Sequence, residues 1–215
     1  MVTKLQLWNG AVQALGNERF NDTGDDGRAS NELASVYSQV VNECLAAGSW
    51  NFAMETTQLD ADTGVTPSFG SELTEVFAKP TDWVRTIAIS GDENFSVPLT
   101  RYEDKSNYLA APLTPIYVAY VSNDTGLGFN LATWPAQFSR FVQLELAARI
   151  GPAVTQNATL VMKVEDLRDK ARKRALNTDA MNEPQPKFLP PGSWTMARYS
   201  RWGNRERGSR GSLTG

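Results

Sequence analysis

The sequence predicts an α+β fold: a four-helix bundle with helices near residues 4–15, 28–47, 134–150 and 158–177, a small antiparallel β-region inserted between the second and third, and an extended C-terminal arm. Three observations predict it. Apolar residues recur at helical spacing in two early and two late segments. Between residues 50 and 122 the texture changes to short stretches rich in β-branched and aromatic residues, cut by Gly, Pro and Asp. Beyond Asn182, Pro184, Pro186, Pro190 and Pro191 forbid a regular helix and favour extended, polyproline-like backbone. Residues 1–49 and 130–182 then make a helical body, 50–129 the β-region, and 183–215 an arm.

In the first helix Leu5, Trp8, Val12 and Leu15 keep the apolar period, with Thr3 as N-cap and Gly16 as the residue that stops it. Gly10, costly inside a helix, marks the close approach of a neighbouring helix. The loop NERFNDTGDDGRAS follows, with DTGDDG as a turn and helix cap rather than a calcium loop, because the closing bidentate Glu is missing. Leu33, Val36, Tyr37, Val40, Val41, Cys44 and Leu45 make a broad stripe on the second helix, which ends at Gly48. Two such helices on a modest loop are expected to pack as an antiparallel pair.

WNFAMETTQL then reads as a strand, which puts Trp50 and Phe52 on one face as anchors between helices and sheet. ELTEVFAKP, WVRTIAI, FSVPLTRYED and PIYVAYVSN continue the β-region, with Pro98 and Pro115 confined to edge, bulge or strand-start positions. TWPAQFSRFVQLELAARIG reopens the helical pattern with Thr133 as N-cap and Pro135 in the first turn, and its apolar residues on several sides predict the most buried helix. The fourth helix keeps its period through Leu160, Val164, Leu167, Ala171 and Ala175. Its other face pairs Asp166 with Lys170 and Asp169 with Lys173, so KARKR at 170–174 is a solvated helix face and not a nucleic-acid patch.

Composition narrows the chemistry. The chain of 215 residues holds no histidine, which removes imidazole acid–base catalysis, Ser-His-Asp and Cys-His nucleophiles and the usual zinc sites. One cysteine, Cys44, excludes an intramolecular disulfide and sits in an apolar helical pattern as a buried thiol. Neither the Walker spacing nor the Rossmann glycines occur, so no cofactor, metal ligand or catalytic residue is assigned. The carboxylate pairs Asp25/Asp26, Asp60/Asp62 and Glu103/Asp104 fall in turns and on the surface. No stretch is long and apolar enough to span a membrane, and no secretory signal opens the chain, so synthesis in the cytoplasm is expected.

Charge is uneven. Lys187, Arg198, Arg201, Arg205, Arg207 and Arg210 against Glu206 give residues 187–215 five net positive charges, and the formal −3 of the whole chain leaves −8 for the first 186. The arm also carries Phe188, Trp194, Tyr199 and Trp202. Such a mixture suits single-stranded nucleic acid or, as interface hot spots, a protein groove. Phe188, Trp194, Arg198, Tyr199, Arg201, Trp202, Arg205 and Arg207 are the residues expected to meet either target.

The order of features carries a resemblance across nearly the whole chain. Two helices stopped by Gly48 and followed by WNFA, then KPTDWVR with Pro80, Asp82 and Arg85, then two long helices and SWTMAR at 193–198 resemble the head–tail adaptor proteins of short-tailed bacteriophages, also called tail tubular protein A or tail accessory factor. Lys79 stands where that pattern has Leu, and Trp83 also departs from it. The resemblance implies a structural, non-enzymatic virion protein at the head–tail junction. It implies a self-assembled ring, commonly a dodecamer, between the portal protein and a tail nozzle protein of the tail tubular protein B kind, with the arm on the portal and DNA passing through the lumen without sequence-specific binding. A peptidoglycan-degrading tail accessory protein and a DNA-binding module using the basic arm are the alternatives.

Overall fold

A computed structural model describes residues 2–25, 27–65 and 72–182. Its elements are α1 (Lys4–Ala14), α2 (Arg28–Ala46), a single 3-10 turn (Asn51–Ala53), β1 (Met54–Leu59), β2 (Glu75–Ala78), β3 (Trp83–Ser90), β4 (Glu103–Asp104), β5 (Tyr108–Ala111), β6 (Ile116–Ser122), α3 (Ala136–Val154) and α4 (Ala158–Asn182). This is the expected α+β arrangement: four helices with a small antiparallel β-region between the second and third. The arm from residue 183 lies outside the described residues.

The start of α1 follows from its sequence. Gln6 N donates to Thr3 Oγ1 at 3.2 Å and Thr3 N donates to Gln6 Oε1 at 3.0 Å, a reciprocal cap that satisfies two otherwise orphaned donors. Gly16 takes φ +75 and ends the helix, as Gly16 N donates to Gln13 O and Asn17 N to Val12 O. At Gly10 an added Cβ would sit 2.6 Å from the side chain of Gln143, so the close approach predicted there is to α3.

The helices do not pair as expected. Both α1 and α2 pack chiefly on α3 and touch each other only slightly. The cause is α3 itself, which is apolar on several sides and can receive a helix on each flank; it is the most buried of the four, with Phe138, Phe141, Val142, Leu144, Leu146 and Ile150 inside. Its boundaries also differ. Pro135, not Thr133, is the N-cap, because the Thr133 hydroxyl is engaged in donating to Asn130 O at 2.8 Å in the preceding turn. At the other end the helix runs on through Pro152, whose missing N–H removes the bond that would go back to the carbonyl of Ala148.

The turn before α2 is also capped differently from expectation. Asp25 accepts from the amides of Asn21 and Asp22 at 2.8 and 3.2 Å, closing the loop on itself, and α2 begins after Gly27 with no side-chain cap. On α4, Val164, Ala171 and Ala175 are buried as predicted, whereas Leu167 is exposed. The ion pairs of this helix run from half-buried Arg168 to Glu145 of α3 at 3.7 Å and to Asp169 at 3.0 Å, while Lys170 and Lys173 extend into solvent.

Two three-stranded antiparallel sheets form the β-region, in the orders β1-β6-β3 and β2-β5-β4. The β1/β6 register is unbroken from Met54 opposite Val121 to Leu59 opposite Ile116, whereas β3 shifts twice against β6. FSVPLTRYED is a strand only at Glu103–Asp104. Upstream, Asp92 accepts from the amides of Asn94 and Ser96 at 3.0 and 3.1 Å and Phe95 takes φ 52, which turns the chain into a loop. Pro98 forms an isolated bridge with Ser90, and Pro115 directly precedes β6. Strand β5 was not foreseen, because YLAA is short and flanked by turn residues.

Phe77, Ile89, Leu109, Ala111, Ile116 and Val118 form the core between the sheets, separate from the larger helical core. The β-region returns to the helices through a loop that pivots on Gly128, where a Cβ would lie 2.1 Å from the carbonyl oxygen of Ser122. Backbone cannot yield there as a side-chain tip could. Gly128→Ala is expected to cost about 3 kcal/mol in chemical denaturation, the upper end for overpacking, while Gly24→Ala, with nothing within 4 Å of its added Cβ, should change stability little.

Candidate functional site

Residues 51–53, expected as strand, form the 3-10 turn instead, with Trp50 just before it. Trp50 remains an anchor: its side chain is 1% exposed, its ring centroid lies 4.8 Å from that of Phe138, and its indole N–H donates to Cys44 O at 2.9 Å. Phe52 is half-buried, 4.8 Å from the same Phe138 ring. What bends the backbone is Asp179, in the last turn of α4. Its carboxylate accepts from Asn51 N at 3.2 Å and its carbonyl from Asn51 Nδ2 at 3.1 Å, so α4 holds the start of the turn across 128 positions of sequence. Trp50, Asn51 and Phe52 thereby tie α2, α3 and α4 to the first strand.

Pro80, Asp82 and Arg85 build a second joint. Pro80 O accepts from Trp83 N at 3.2 Å and closes the turn into β3. Asp82 accepts through its carboxylate from the hydroxyls of Ser122 and Tyr120, and through its carbonyl from Asn123 N at 2.8 Å, so it holds the end of β6 where the chain turns back to the helices. Ser122 Oγ accepts in turn from Asp124 N at 3.0 Å. Glu55 of β1 shares the Tyr120 hydroxyl at 3.3 Å. Burial first, and then the charges of Asp82 and Glu55, push the Tyr120 phenol well above its ordinary range, so it stays a neutral donor. Arg85 donates to Ala46 O at 3.4 Å, meeting a carbonyl left free at the end of α2.

Lys79 and Trp83, the two departures from the adaptor pattern, contact one another. The Lys79 ammonium lies 3.5 Å from the Trp83 ring centroid and donates to the Asp104 carboxylate and to Lys105 O. Asp104 also accepts from the Thr86 hydroxyl at 2.8 Å, and Thr86 Oγ1 accepts from the Trp83 indole at 3.1 Å. This cluster pins β2 and β4 of one sheet to β3 of the other.

A cleft of about 480 Å³ opens between α2, α3 and α4 and is lined by Glu43, Cys44, Phe141, Glu145, Arg168 and Arg172 among others. Glu43 pairs with Arg149, and Glu145 with Arg168. Burial raises the Glu145 carboxyl above its ordinary range against the opposing pull of Arg168 and Arg149. Burial likewise pushes the Cys44 thiol well up, with Glu145 and Glu43 adding to it, so Cys44 is a protonated core residue. Among the described residues no group of His, Cys, Asp and Glu is placed to hold a metal ion, and no helix is long and apolar enough to cross a membrane. Phe188, Trp194, Arg198, Tyr199, Arg201, Trp202, Arg205 and Arg207 lie outside the described residues.

Sequence reasoning missed Asp179, Asp104, Tyr120 and Ser122. One signal was available for Asp179: an acid in the last turn of a helix opposes the helix dipole and needs another reason to be there. Asp82→Ala, which takes the acceptor from the Ser122 hydroxyl and leaves the Tyr120 hydroxyl to Glu55 alone, is expected to lower stability by about 2 kcal/mol in chemical denaturation. For Glu145, a raised folded-state pKa means the folded chain keeps this proton to higher pH than the unfolded chain does, so its contribution falls as pH rises through and above the ordinary carboxylate range. Glu145→Gln should therefore gain stability relative to the parent between acidic and neutral pH, which parallel denaturation series will read. The chain matches no protein-family model and no curated protein.

Proposed function

We propose that this chain is a structural head–tail adaptor of a short-tailed bacteriophage, a subunit of a ring between portal and tail nozzle through which DNA passes. The observation that carries the proposal is the order of WNFA, PTDWVR and SWTMAR along the chain, together with the work done by the first two. Trp50 to Ala53 and Pro80, Asp82 and Arg85 sit at the two joints where the helices meet the β-region. A subunit that transmits load between neighbours needs such joints to be stiff, and both are fastened by hydrogen bonds between distant segments.

Charge supports the same role. Residues 50–129 hold eleven acids against four bases. An acidic lumen repels duplex DNA and lets it slide, whereas a basic one would hold it through counterion release. The basic, aromatic arm has its natural target in the portal, with Trp194 and Trp202 as anchors and Arg198, Arg201, Arg205 and Arg207 around them.

Mass measurement of the full chain with and without its portal protein tests the proposal. A ring-sized species with the portal is expected, and a monomer under both conditions would overturn it. Trp194→Ala and Trp202→Ala should each weaken portal binding by roughly 30-fold, as loss of a hot-spot residue does; portal attachment that survives removal of residues 187–215 unchanged would refute the arm's role.

A further inference from the structure

Among the described residues, two of the four sheet edges are covered by other segments and a third is short. The far side of β3 is covered by residues 97–99, where Leu99 N donates to Ile89 O at 2.7 Å and Pro98 bridges Ser90. Asp62 N donates to Val76 O at 2.7 Å and covers β2. Strand β4 is two residues long. The fourth edge, β1, is open: every second residue of Met54–Leu59 turns its N–H and C=O away from β6, and among the described residues these groups make no backbone hydrogen bond. METTQL also has no Lys, no Pro and no register shift against β6, and its one charge, Glu55, is engaged with the Tyr120 hydroxyl. A regular edge of six residues without Lys, Pro or a bulge is a template for an added strand.

The strap EPQPKFLPP supplies a matching segment. Along an extended chain successive N–H groups point to opposite edges. In the sequence Pro184, Pro186 and Pro190 occupy even positions, so in an added strand they would share one edge and leave Gln185, Lys187 and Leu189 with intact donors on the other. Proline is tolerated in a sheet only where its edge faces solvent, so this alternation describes a strand that pairs on one side and forbids pairing on the other.

We propose that residues 185–189 of a neighbouring copy add as an edge strand to β1. This rests on the ring reading: a head-to-tail contact repeated around a closed ring leaves no copy with an open β1 and no strap without an edge. Each strap then locks to a neighbour, and the residues beyond Pro191 remain for the portal. The prolines cap the extended sheet, so one strand is added and growth stops there.

Hydrogen exchange of the full chain, with mass measured on the same samples, tests this. On ring formation, alternate amides of residues 54–59 are expected to slow by at least ~10-fold. In the full chain, Gln185→Pro with Lys187→Pro should abolish that protection, while Pro184→Ala with Pro186→Ala, which alters only the solvent edge, should keep it. Rings whose β1 amides exchange as fast as in the monomer would overturn strand donation and leave the adaptor proposal standing. Protection at concentrations where the mass is that of a monomer would overturn donation by a neighbour and assign the strap to its own chain. Absence of any ring, with or without portal, defeats both, and the mass tells this case from the others.

Discussion

Burial of Trp50 is the constraint on which the remaining architecture depends. Its indole must be removed from water, its N–H must find an acceptor, and the end of α2 supplies one in Cys44 O. The ring then fills the space against Phe138 and Phe141 and draws α3 beneath the end of α2. With the tryptophan fixed, Asn51 falls within reach of Asp179, and α4 is fastened to the same point. The chain therefore enters the β-region from a place where three helices already meet.

From there the β-region is held by charge rather than by apolar area alone. Asp82 collects two hydroxyls and an amide from the end of β6, and Arg85 meets the end of α2. Lys79, almost fully buried along its side chain, joins the two sheets through Trp83 and Asp104. Hydrogen bonds to charged groups are stronger and more directional than apolar contacts, so they fix angles between elements that packing would leave adjustable. A ring subunit whose β-region must keep one attitude among identical neighbours would use this property, which is why these joints matter to the proposed role.

Much of the fold was legible in the sequence, because helices with a sustained apolar stripe and strands rich in β-branched residues advertise their period locally. Even Gly10 could be read, since a costly residue inside a helix implies a neighbour at close range. The joints were less legible. Trp50 was visible as an anchor, but its backbone was misread, because aromatic residues two apart fit a strand and nothing nearby announces a turn. Asp82 and Arg85 stood out only through a resemblance, and their partners Ser122, Tyr120 and the end of α2 are distant in sequence.

By itself the sequence determined the four helices, most of the strands and most of the residues that are inside, and that an acidic stretch of 186 residues is followed by a basic, aromatic one. Tertiary structure decided how those pieces meet: α1 and α2 on α3 rather than on each other, a 3-10 turn where strand was expected, and which edge of the β-region no described residue covers. Those outcomes turn on contacts between residues far apart along the chain, such as Asn51 with Asp179. A local pattern carries the periodicity of an element but not the identity of the surface it will meet.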